Sequence, residues 1–67
     1  MADVELLQAK IDESGMTMVA IAKKSGIDRT TLYNRLKNVG EFTASEIVGL
    51  STTLRLTKPE RDKIFLS

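Results

Sequence analysis

The sequence predicts an all-α domain of five short helices, and three observations carry that prediction. Apolar residues recur three and four positions apart, in Val4, Leu7 and Ile11, in Leu32 and Leu36, and in Ile47, Leu50 and Leu54. That spacing puts them on one face of a helix. Residues that close helix N-termini stand ahead of such runs: Thr17, Asp28, Thr43 and Thr57. Their side-chain oxygens can accept from backbone N–H groups that have no partner inside the helix. Finally, 67 residues with 42% hydrophobic side chains supply one small core, so a single domain is expected over 1–67.

The first helix is expected at about 3–14, in DVELLQAKIDESG. Leu6 widens the apolar face of Val4, Leu7 and Ile11, and Gly15 is its stop. Thr17 caps a second helix through MVAIAKKS, with Ile21 and Ala22 inward and Lys23 and Lys24 toward solvent. Gly26 then admits a left-handed backbone, Ile27 anchors the turn in the core, and Asp28 caps a third helix at about 28–38. Leu32 and Leu36 define the inward stripe of that helix, with Val39 continuing it.

NVGEF at 38–42 reads as a connection. Thr43 and Glu46 have capping-box spacing ahead of a fourth helix at about 44–54, whose last turn is weakened by the low helix propensity of Ser51, Thr52 and Thr53. Thr57 and Glu60 repeat the device. Pro59 falls in the first turn of this fifth helix, where its missing N–H costs nothing, and Ile64 and Phe65 hold the helix to the core.

The absence of cysteine and histidine excludes a disulfide framework and the usual thiolate or imidazole metal sites. No glycine-rich phosphate loop is present, and no cofactor is expected. The apolar runs are too short to span a bilayer, and MADVELLQAK lacks the basic and apolar regions of a secretory signal. A cytoplasmic location is expected. Thr30, Thr31 and Tyr33 carry hydroxyls without an accompanying base, electrophile cradle or metal set, so no enzymatic activity is expected.

The net charge of +1 conceals a division along the chain: residues 1–16 carry −3, residues 17–40 carry +4, and residues 41–67 balance. A basic middle segment attracts phosphate even in a nearly neutral molecule. A solvated charged face is the plainer explanation of the same residues.

A helix-turn-helix that reads DNA needs a small residue where its helices meet, a turn that admits positive φ, and apolar anchors that leave the second helix exposed on its other side. Ala22, Gly26, Ile27, Leu32 and Leu36 meet those needs in IAKKSGIDRTTLYNRL, which places the motif at about 17–38. GMTMVAIAKKSGIDRTTLYNRL resembles the helix-turn-helix of phage Cro and CI-type repressors, within the lambda-repressor-like class of five-helix DNA-binding domains. NVGEFTASEIVGLSTTLRLTKPERDKIF is similar to the continuation in small phage and prophage regulators, so the likeness covers nearly the whole chain.

The resemblance implies a compact five-helix lambda-repressor-like fold and a transcriptional regulator, of repressor type, that occupies operator DNA in a bacterial or phage-infected cell. It puts Ala22 at the helix contact, Gly26 at the turn, Ile27 and Leu32 in the core, and Asp28, Arg29, Thr30, Tyr33 and Asn34 on the DNA side. Met18 departs from the family's frequent glutamine, and Arg35 stands where many repressors have an apolar residue, with Leu36 anchoring one place later.

Chemistry distributes the roles. Arg29 can donate two parallel hydrogen bonds to guanine, Asn34 can pair with adenine, and Thr30 can touch a thymine methyl. Tyr33 offers a ring and a hydroxyl, and Asp28 can cap the helix or accept from cytosine. Thr17, Lys23, Thr31, Arg35, Lys37 and Asn38 are candidates for phosphate or flanking contacts, which position a protein without spelling a sequence. Each of these side chains can also simply face solvent or cap local backbone.

The partner expected is double-stranded DNA bound by a homodimer, with reading helices about 34–36 Å apart on a palindromic operator. The segment LRLTKPERDKIFL can serve dimerisation or complete the monomer core. The competing function is a small phage protein-interaction module, in which the same helix docks onto a host or phage regulator and Phe65 and Leu66 form a separate patch.

Overall fold

In the computed structural model, which describes residues 2–66, five helices follow one another. They are α1 (Val4–Ser14), α2 (Met18–Ser25), α3 (Arg29–Leu36), α4 (Ala44–Thr53) and α5 (Lys58–Phe65). The expected five-helix, all-α architecture is what the chain forms. Among the described residues no helix is long and apolar enough to cross a membrane.

Each helix starts at a side chain that satisfies its open N–H groups. Thr17 Oγ1 accepts from Ala20 N–H at 3.1 Å. Thr43 with Glu46, and Thr57 with Glu60, complete reciprocal capping boxes. The first helix begins one residue later than expected, because Asp3 is its cap and accepts from Leu6 N–H at 3.0 Å. α1 and α2 both stop at glycines in the left-handed region, Gly15 at φ 70° and Gly26 at φ 72°.

The third helix is shorter than its sequence spacing suggests. It ends at Leu36, and Asn38 takes a left-handed φ of 62°, which asparagine tolerates better than most residues. Val39 N–H then closes the turn on the Asn34 carbonyl at 2.9 Å. Val39, expected to continue the inward stripe, is carried to the surface and is 55% exposed. Leu36 ends the stripe and is itself only partly buried against the core.

Each helix sends one side chain completely out of solvent: Leu7, Ile21, Leu32, Leu50 and Ile64 are all 0% exposed. Ile11, Ala22 and Ile27 join them, with Leu6, Met16, Met18, Leu36, Phe42, Leu54, Leu56 and Phe65 packed around this cluster. Truncating a buried leucine of this kind costs about 2–5 kcal/mol. Leu54, Leu56, Ile64 and Phe65 thus contribute to the monomer core, whereas Leu66 is exposed.

α4 packs closely on α2. At Gly49, in the middle of α4, an added Cβ would lie 3.0 Å from the Ser25 carbonyl carbon and 3.2 Å from its Cα, with the carbonyl oxygen closer still. Ser25 Oγ also donates to Thr53 Oγ1 at 3.0 Å across the same junction. α1 and α5 are joined by the Asp3 N–H bond to the Ile64 carbonyl, 2.7 Å, and by the Lys10–Glu60 ion pair. Phe42 and Phe65 meet edge to face, ring centroids 5.2 Å apart, where the 37–43 connection passes α5.

Candidate nucleic-acid interface

The turn between α2 and α3 is fixed by the backbone. Gly26 N–H donates to the Lys23 carbonyl at 3.3 Å and Ile27 N–H to the Ala22 carbonyl at 3.0 Å, satisfying the last carbonyls of α2. Nothing lies within 4 Å of a Cβ built on Gly26, so glycine is favoured there by its φ rather than by lack of room. Ile27, 7% exposed, pins the turn to the core.

Asp28 caps α3, as its place in the sequence suggests. One carboxylate oxygen accepts from Thr30 N–H at 3.0 Å and from Thr31 N–H at 3.4 Å. The opposite charge on the partly positive helix N-terminus adds to this. That carboxylate is engaged with the backbone of its own helix, next to the exposed side chains of Arg29 and Thr30.

Leu32 decides which side of α3 faces outward. With Leu32 buried, helical geometry puts Thr30, Tyr33, Asn34 and Lys37 on the other side as one stripe, at spacings of three and four. Thr30, Tyr33 and Lys37 are exposed, Tyr33 by 43%, and Asn34 is half-buried. Arg29 stands at the leading end one turn before Tyr33, and Thr31 is half-buried on the flank.

Arg35 is drawn inward. Expected among the phosphate or flanking contacts, its side chain is only 19% exposed and its guanidinium is engaged within the protein. Nε donates to Glu46 Oε1 at 3.2 Å and Nη1 to the Val39 carbonyl at 3.2 Å. The reason is angular: on α3, Arg35 lies on the Leu32 side, facing the first turn of α4. Glu46, 14% exposed, also accepts from Thr43 N–H at 3.0 Å through the same oxygen. Asn38, another flanking candidate, is exposed and forms the left-handed corner that ends α3.

Of the cations in residues 17–40, Lys23, Lys24, Arg29 and Lys37 are exposed and, among the described residues, form no ion pair. Lys24 Nζ approaches only the Met16 sulfur, at 3.8 Å. Thr17 is exposed at the start of α2, its hydroxyl oxygen committed to the cap. Among the described residues these four cations have no carboxylate within ion-pair distance, while Lys10 and Arg61 elsewhere have carboxylate neighbours.

Two structural partners of this surface were missed in the sequence. Glu46 was recognised as a capping residue but not as the partner of Arg35, eleven positions away. Gly49 is the other, and its signal in the sequence is a glycine in the middle of a helix, a sign of close packing. No family model matches the chain, and neither does any curated protein or solved structure.

Proposed function

We propose that the protein is a sequence-specific binder of double-stranded DNA, a transcriptional regulator that inserts α3 into the major groove. The observation that carries this reading is the division of α3 into two sides. Leu32 is wholly buried, while Arg29, Thr30, Tyr33 and Lys37 stand exposed at its start and outer side, and neither Arg29 nor Lys37 forms an ion pair among the described residues. The side chains at the leading end and on the outer stripe match what base edges and phosphates present: a guanidinium for guanine, an amide for adenine, a hydroxyl and methyl for thymine, and an ammonium for phosphate.

Repression by occupancy, in a phage or prophage setting, follows the sequence resemblance to Cro and CI-type repressors. A domain whose principal extents are 26 × 24 × 20 Å offers little contact area. Two copies on a palindromic site, with reading helices about 34–36 Å apart, would extend it.

Selection from a randomised DNA pool, followed by footprinting at controlled salt, tests the proposal. A recovered site with two-fold symmetry and discrimination over random DNA is the expected result. Salt-insensitive failure to bind any DNA, together with capture of a phage or host regulator, would replace it with the protein-interaction reading.

A further inference from the structure

We infer that the Arg35–Glu46 pair is a positioning device that sets the attitude of α3 for base recognition, an inference that rests on the DNA-reading proposal. Arg35 occupies the last turn of α3, and Glu46 the first turn of α4. Glu46 Oε1 holds the Thr43 N–H and the Arg35 Nε, at 3.0 and 3.2 Å, so one oxygen ties the cap of α4 to the end of α3. Arg35 Nη1 reaches on to the Val39 carbonyl at 3.2 Å and lies over Gly40, at φ 77°, where it occupies the space a Cβ would take.

The end of α3, the corner at Asn38 to Gly40 and the start of α4 are thus gathered around one guanidinium. Asp28 and Ile27 fix the leading end of α3, Leu32 its middle, and this pair its trailing end. A helix held at both ends cannot swing about Leu32. Base edges reward such fixity, because their hydrogen bonds demand alignment, whereas phosphate attraction tolerates misalignment.

Glu46→Gln separates this role from simple folding, since glutamine also serves at the third position of a capping box. Arg35→Lys keeps the positive charge but loses the planar fork that spans Glu46 and Val39. The experiment measures affinity of wild type and both variants for the selected operator and for random DNA, across a salt series, with folding checked by circular dichroism.

The expected result is a loss of operator affinity of about tenfold in each variant, comparable to one misaligned base contact. Random-DNA affinity and the salt slope should stay as in wild type. A variant that fails to fold leaves the other to carry the measurement. Unchanged discrimination in a folded variant overturns the positioning role. A loss shared equally by operator and random DNA also overturns it and makes Arg35 a phosphate contact instead, since such a contact is lost from every sequence alike. If wild type itself shows no discrimination, the DNA-reading proposal has failed, an outcome distinct from either of these and one that removes the basis of the inference.

Discussion

Replacing Gly49 by alanine tests the packing that supports the proposed interface. On helix propensity alone the change stabilises α4, since alanine is favoured over glycine by about 1 kcal/mol in a helix interior. The new methyl, however, would sit 3.0 Å from the Ser25 carbonyl carbon and 3.2 Å from its Cα, and nearer to the carbonyl oxygen than real Cβ contacts allow. Those atoms are backbone at the end of α2, so no side-chain rotation relieves the contact. The helices must part by about an ångström, in an interior packed like a crystal.

Overpacking of this kind costs about 1–3 kcal/mol, occasionally more. Parting α2 from α4 also loosens the core to which Ile21 and Leu50 both belong, each 0% exposed, and strains the 3.0 Å bond from Ser25 to Thr53. With backbone rather than a side chain in the way, the cost falls at the upper end of that range, about 3 kcal/mol, which less the propensity gain of about 1 leaves a net loss of about 2 kcal/mol. In a domain of this size that is a fall in Tm of roughly 10 °C. Thermal and urea denaturation followed by far-ultraviolet circular dichroism measure it. A Gly49→Ala protein as stable as wild type, or more so, would refute the close α2–α4 approach.

Asp28→Ala should lose roughly 0.5–2 kcal/mol in urea denaturation while Asp28→Asn loses much less, because asparagine caps about as well; equal losses would point to charge rather than capping. Glu60 is held down from 4.5 to about 2, first by the hydrogen bond from Lys10 and then by the Thr57 backbone and hydroxyl. Its carboxylate contributes stability above about pH 4.5 that disappears as pH falls toward 2. Glu60→Gln, which keeps the capping box, should flatten that part of a Tm-against-pH curve. In operator binding, Arg29→Ala should lose both affinity and discrimination. Lys37→Ala should lose affinity for all DNA alike and lower the salt slope by about 1, both read from fluorescence titrations at several salt concentrations.

How much of this was legible in the chain follows the range of each interaction. The caps at Thr17, Asp28, Thr43 and Thr57 bond within three residues and form as their spacing suggests. The inward direction of Leu32 follows equally from local period. Val39 escaped the same rule because Asn38 leaves the helical region at φ 62°, and a residue beyond that corner no longer shares the face of Leu36. Arg35 escaped because its carboxylate partner is supplied by the next helix, and Gly49 because the backbone it accommodates is at Ser25. Period and capping are local properties; a close approach between helices is not.

The polarity of α3 becomes intelligible from how it is held. RTTLYNRL is eight residues long with only one side chain fully buried, far short of what an isolated helix needs in water. Its attachments are the Asp28 cap, Leu32 in the core, and Arg35 on Glu46, all at its ends or on its inner side. Arg29, Thr30, Tyr33 and Lys37, at its start and on its outer side, contribute little to folding, since exchanges at such surface positions usually stay within about 0.5 kcal/mol. Stability and the proposed recognition therefore reside in different side chains of one short helix. A binding defect from replacing Leu32 would report a chain that no longer folds, whereas one from replacing Arg29 or Thr30 would report the interface itself.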